Sequence, residues 1–400
     1  MRNGPAGHLM ESFAQVLSEA NYAQITARRH LRAAEHFLYW IRRHGIAVCE
    51  ANEQALLRFA NHLRQCRCPH YSHAALVEVT CGARLFVSHL RDIGTIAAPA
   101  PKNPEDPQLL LAFGQWMRQQ RGTCPATLYN YNLHLRPLLE RVGEEPSRLQ
   151  AGLLRDFVME THRSSGWGKA KKCTTALRMF LRFLIAKGDC IVGLEEAIPT
   201  VAHWRLANLP RYLPPEEVEH VIASCGRLSP VGRRDRAILL LLARLGLRAG
   251  DVVHLRLSDI DWKNASIQVC GKSRRQTRLP LTQEIGQAIV DYLRDGRPRS
   301  SADTVFVRCR APFRSFRSHC AVSVIVDRAL RRAGVVRPSR GAAHLLRHSV
   351  ATSMLRQGAS LQNIADILRH SSIETTRIYA KVDITALRQI AQPWPEVELC

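Results

Sequence analysis

The 400-residue sequence has no apolar run longer than seven residues. That run, Ala237 to Ala243, is bracketed by Arg236 and Arg244 and falls far short of the ~20 residues a membrane span needs. No transmembrane helix is expected. An apolar signal core is lacking too: MRNGPAGHLMESFAQVL meets acids at Glu11 and Glu19, which fits neither a secretory signal nor a transit peptide, and a cytoplasmic location is expected. The twelve cysteines show no disulfide framework. Scattered from Cys49 to Cys400 without an export signal, they read as free thiols. The tightest group, Cys66, Cys68, His70 and His73, is too closely spaced for the usual zinc modules and has no second cysteine pair at a finger-like distance. A polar loop is expected there, with no metal and no cofactor.

Acidic residues are scarce, 34 Asp+Glu against 57 Lys+Arg, for a formal charge of +23. The 46% hydrophobic content excludes a disordered basic tail. Lysine is scarcer still, 8 against 49 arginines. Codon bias or solubility could account for the count alone. The guanidinium fork, however, matches phosphate oxygens, so an arginine-rich face is the footprint expected of a protein that follows a nucleic-acid backbone. The field is uneven: residues 206–400 hold 31 basic against 17 acidic residues, whereas 1–104 hold 12 against 7 and 105–205 hold 14 against 10.

Two proline-rich stretches, Ile96 to Pro107 and Ala207 to Pro215, divide the chain into segments 1–100, 105–205 and 206–400. The first two read as distant copies of one helical unit. Thr26 and Thr127 open segments of helical spacing in which Phe37, Leu38 and Ile41 match Leu138, Leu139 and Val142. Leu56-Leu57-Arg58 then matches Leu153-Leu154-Arg155, and RLFVSHL (84–90) matches RMFLRFL (178–184). Each copy predicts a bundle of about four helices.

The third segment is mixed. Helices are predicted over Glu216–Ala223, Asp235–Leu245, Gln283–Leu293, Ala321–Ala333, Ala343–Arg356, Leu361–Leu368 and Thr375–Ala380. Ser266–Val269 and Thr277–Leu281 predict a hairpin, with Thr304–Arg308 as a third strand. The expected fold is mainly α with a small antiparallel β-sheet.

Chemistry-bearing residues cluster in this segment. An H-x-x-R match such as His344 to Arg347 is expected about twice by composition alone, so order and context must carry the argument. The ordered set is GLRAGDVVHLRLSDID (246–261), GKSRRQTRLPL (271–281), HLLRHSVATSML (344–355) and LRHSSIETTRIYAKVD (368–383). It resembles the catalytic domain of the tyrosine recombinases, the phage integrase family, over about 206–385.

The resemblance implies a site. Arg248 stands where the family has its first catalytic arginine, Lys272 where it has the hairpin lysine, and His344 and Arg347 where it has the H-x-x-R pair. His370 matches the second histidine position and Tyr379 the nucleophile. The chemistry is coherent. Arg248, Arg347 and His370 can donate to the nonbridging oxygens of a phosphodiester, His344 can accept the tyrosine proton, and Lys272 can protonate the departing 5′ oxygen. The product would be a 3′-phosphotyrosyl intermediate. His348 is expected to give packing or supporting contacts and is left outside the catalytic set.

There are departures from the family pattern. Arg369 replaces the glycine usual before the second histidine, which costs on the order of 1 kcal/mol if the backbone there is left-handed. Asp251 stands for a frequent glutamate and Ser353 for a frequent histidine, and segment 1–100 is extra.

The resemblance also implies helical N-terminal DNA-binding domains: 105–205 as the core-binding domain that precedes the catalytic one, and 1–100 as an extra helical domain that either extends the DNA footprint or contacts a neighbouring protomer. Lys169, Lys171, Lys172, Arg274 and Arg275 are expected phosphate contacts. The implied partners are double-stranded DNA bearing a specific recombination site and a homo- or hetero-tetramer with related recombinases, with no membrane involvement. Integration or transposition of a mobile element is the expected role. A type IB topoisomerase-like enzyme or a noncatalytic DNA-binding accessory protein are the alternatives.

Overall fold

The computed structural model describes residues 7–69, 71, 75–97, 107–200, 209–271, 276–336, 341–370, 372–383, 387–388 and 391. Lys272, Arg274, Arg275, His70, His73 and Ser371 lie outside them. Contacts divide the chain into two units, Met1–Ala97 together with Leu206–Cys400, and Ala98–Arg205.

In the first unit, the N-terminal segment folds into α1 (Gly7–Glu19), α2 (Gln24–Arg43), α3 (Glu53–His62) and α4 (Leu76–Asp92). Phe13, Phe37, Phe59 and Phe86, one from each helix, meet in its core. Asn52 caps α3, its side chain accepting from the Gln54 and Ala55 amides. Helices α2 and α4 approach closely because Gly82 has no Cβ; one added there would stand 2.6 Å from Cβ of Ala33.

The second unit has α5 (Gln108–Arg121), α6 (Pro125–Val142), α7 (Ala151–Ser165) and α8 (Trp167–Lys187) around Phe113, Leu135, Leu138, Phe180 and Leu184. Pro125 opens α6 and left-handed Gly188 closes α8. The matched sequence segments fall on helices of the same rank: Thr26 and Thr127 on α2 and α6, Leu56 and Leu153 on α3 and α7, and 84–90 and 178–184 on α4 and α8.

The C-terminal segment of the first unit is built on α9 (Pro215–Ala223), α10 (Pro230–Leu245) and α11 (Ala249–His254). Strands β1 (Ile260–Asp261), β2 (Ser266–Cys270) and β3 (Gln276–Pro280) follow, then α12 (Gln283–Asp295), α13 (Cys320–Arg332), α14 (Ala342–Arg356) and α15 (Leu361–Ile367). Helix α10 is the central rod. Ser229 caps it, Pro230 begins it, and Ala237 to Ala243 are buried throughout. The fold class is the one expected from sequence.

Two details differ. The sheet is antiparallel in the order β1-β2-β3, with Ile260 opposite Ile267 and Ile267 opposite Leu279, so its third strand is Ile260–Asp261 and not Thr304–Arg308. Thr304 and Val307 make only isolated bridges, to Arg256 and Ser315. The apolar run Val305-Phe306-Val307 reflects burial of all three residues, which strand pairing is not needed to achieve. The predicted helix at Thr375–Ala380 is instead two short 3-10 turns, Ile373–Thr375 and Arg377–Val382.

Candidate active site

The C-terminal end of α10, the middle of α14 and the turn after α15 are drawn together by one arginine, Arg347. Helix α10 stops at Gly246, whose φ of 58° ends the helix in the left-handed region and leaves its carbonyl free to accept a side-chain donor.

Arg347, on α14, is 4% exposed and donates through Nη1 to the Gly246 carbonyl and through Nη2 to the Leu368 carbonyl. A guanidinium has five donors, so three remain after these two bonds. Burial, then the nearby Arg248 cation, pushes its pKa down to about 10. Arg248 stands at the N-cap of α11, its amide donating to Asp251 Oδ2 at 3.0 Å and its Nη2 to the Arg369 carbonyl at 3.0 Å. Burial lowers its pKa as well.

The turn after α15 supplies the Leu368 and Arg369 carbonyls that accept from the two arginines. Arg369 has φ 55°, the left-handed residue of a helix-ending motif in which its amide reaches the Asp366 carbonyl (3.0 Å) and that of His370 the Ala365 carbonyl (2.9 Å). The strain expected of a non-glycine residue is therefore present. It is offset by an ion pair between Arg369 Nη2 and Asp251 Oδ2, with both side chains 7% exposed. Nε and Nη1 of Arg369 are buried without a partner among the described residues.

His370 lies 2.7 Å through Nδ1 from Thr376 Oγ1, and Thr376 is fully buried. That bond ties the turn to the 3-10 segment carrying Tyr379. Tyr379 is 2% exposed, and its hydroxyl lies 2.9 Å from Nδ1 of His348. Burial pushes the phenol up to about 12, against a smaller opposing effect of Arg347. Burial likewise drives His348 and His370 down to about 4. His344, one turn before His348 on α14, is exposed, with ring centroids 6.4 Å apart. Burial of part of its ring, then Arg347 and Arg248, lowers its pKa.

Arg248, His344, Arg347, His370 and Tyr379 are thus brought together, while Lys272 lies outside the described residues. Sequence reasoning expected supporting contacts from His348, through the family resemblance, but did not name Tyr379 as the partner; helical spacing adds that His348 shares a face with His344, four residues before it. In the other unit, Lys169, Lys171 and Lys172 are exposed on α8. Lys169 and Lys172 border a cleft with His134, Arg141 and Ser165, and Lys171 does not.

A mainly helical domain with a three-stranded sheet, carrying a tyrosine beside histidines and two arginines, defines a tyrosine recombinase, an enzyme of DNA strand breaking and rejoining. Residues 211–385 match the model of the phage integrase family. Over 98% of the chain, the sequence is 37% identical to y4rA of Sinorhizobium fredii, named as an integrase/recombinase, covering 95% of that protein. It is 28% identical to the tyrosine recombinase XerD of Lacticaseibacillus casei over 68% of the chain and 92% of XerD. Among solved structures, XerH bound to palindromic difH substrate matches with a TM-score of 0.54 at 19% identity, over 74% of this chain and 99% of that one. A lambda integrase dimer bound to a core site matches with a TM-score of 0.54 at 17% identity, over 73% and 99%. The chain belongs to the phage integrase family.

Proposed function

We propose that this tyrosine recombinase is site-specific, cuts duplex DNA with Tyr379, and serves integration or transposition of a mobile element in the cytoplasm. The observation that carries the reading is the convergence of Arg248, Arg347 and His370 on the turn at 368–370, with Tyr379 in the same buried cluster as Leu368. The spare donors of Arg347 and Arg248, with His370, stabilise the nonbridging oxygens as they gain charge. The Tyr379 oxygen attacks phosphorus, its proton passing to His344. The 5′ oxygen leaves with a proton from Lys272, giving a 3′-phosphotyrosyl ester and a free 5′ hydroxyl. The bond energy is kept in that ester, so rejoining needs no nucleotide cofactor.

Tyr379 is buried against His348 and must leave it to reach a phosphate. The arrangement is therefore a resting one, and DNA binding releases the nucleophile. Segments 1–100 and 105–205 act as DNA-binding domains, with Lys169, Lys171 and Lys172 of the second on the DNA backbone, and 206–400 is the catalytic domain, whose Arg274 and Arg275 add phosphate contacts. Strand exchange uses four nucleophiles, which calls for a tetramer; a lambda integrase tetramer bound to a Holliday junction shares the fold, with a TM-score of 0.53.

The test is a nicked suicide substrate made from the DNA ends of the element that carries the gene. Wild type should give a covalent adduct on a denaturing gel and Tyr379→Phe none. An adduct that survives Tyr379→Phe overturns the nucleophile assignment.

A further inference from the structure

We infer that His36, His62, Cys66 and Cys68 form a structural zinc site in the N-terminal helical segment. The fold unites what the sequence keeps apart: His36 lies midway along α2, His62 ends α3, and the two cysteines follow the 3-10 turn Leu63–Gln65. One ligand atom from each of the four lies within 4.8 Å of the others. Cys66 Sγ is 3.4 Å from His36 Nε2, and Cys68 Sγ is 3.3 Å from His62 Nε2. A tetrahedral zinc ion, with Zn–S about 2.3 Å and Zn–N about 2.0–2.1 Å, places sulfur and nitrogen about 3.5 Å apart. The two cysteine–histidine pairs have that spacing, and the four donors together lie close enough to contract onto one ion.

The donor set selects the metal and the role. Two thiolates and two imidazoles in a tetrahedron suit zinc, and four protein ligands leave no open position for water or substrate. Two thiolate charges cancel the dication, so the site is neutral when filled, with two thiol protons released to solvent. Neutrality matters because His36 is 5% exposed and Cys68 8%. Aromatic rings surround the ligands. Tyr71 stacks on His36 at 4.2 Å, Phe59 meets it edge-on at 5.1 Å, and Trp40 lies 6.0 Å from His62. They pack against the imidazole planes and orient them.

Mechanically, the ion would staple the end of α3 and the following loop onto α2. The expectation of no metal arose from considering Cys66 and Cys68 with His70 and His73, which are near in sequence. The histidines that face the two sulfurs come from residues 36 and 62.

The test uses the full-length protein, purified without chelators from zinc-supplemented cells, with metal measured by plasma mass spectrometry. A single zinc per chain is expected, retained in Tyr379→Phe and lost in Cys66→Ser/Cys68→Ser. Because that double variant could misfold, cobalt(II) exchange of the wild type gives an independent reading: thiolate-to-cobalt charge transfer with intense tetrahedral d–d bands. Wild type free of zinc and without those bands overturns the inference. So does a Cys66–Cys68 disulfide in the purified protein, or zinc undiminished in the double variant.

Discussion

The Tyr379 hydroxyl and Nδ1 of His348 lie 2.9 Å apart inside a site that leaves the tyrosine 2% exposed. The proposed nucleophile is thus held by a residue one helical turn beyond His344, the proposed proton acceptor. This separates holding the nucleophile from activating it.

Substitution should separate the two roles. His344→Gln is expected to slow adduct formation by about 10²–10⁴-fold with little change in melting temperature, since the ring is exposed. His348→Ala leaves a buried hydroxyl unpaired and should cost about 1–3 kcal/mol of stability. Single-turnover cleavage and thermal melts of both variants check the split.

Acid should destabilise the fold at these rings. His348 and His370 have folded pKa values near 4 against 6.5 for an ordinary histidine. The unfolded chain therefore binds protons first as pH falls. The stability associated with the neutral rings is complete above about pH 6.5 and is lost progressively toward pH 4. Melting temperature measured across that window should fall, and less steeply in His348→Gln.

The ion pair of Asp251 and Arg369 sets two effects against each other. Arg369→Gly relieves left-handed strain of about 1 kcal/mol but leaves a buried carboxylate, a loss of about 3–5 kcal/mol. The net expectation is destabilisation. Combined with Asp251→Asn, the loss should be smaller than the sum of the single effects, as a denaturant double-mutant cycle would show.

Gly246 is constrained twice. Its φ is 58°, and a Cβ there would stand 2.6 Å from Cδ2 of Leu368, whose carbonyl accepts from Arg347. Gly246→Ala should therefore cost at least about 1 kcal/mol and displace the arginine's anchor, lowering both melting temperature and cleavage rate.

If Lys169 and Lys172 each contact one phosphate, replacing both with alanine should lower the slope of log affinity against log salt by about 1.8. Titrating DNA binding at several salt concentrations measures it. An unchanged slope would remove these residues from the DNA contact surface.

Much of this protein was decided locally. The seven-residue apolar run specified a buried central helix because no side of it could face water, and alternation at 266–281 specified the hairpin. The order of the motifs around Arg248, Arg347 and Tyr379 revealed the family. Tertiary structure alone decided the rest. Which histidine meets Tyr379, why an arginine sits in a left-handed turn opposite Asp251, and which histidines face Cys66 and Cys68 all depend on contacts between residues from 6 to 118 positions apart. Periodicity records which face of an element is buried, whereas a hydrogen bond or ligand set requires knowing what that face is buried against.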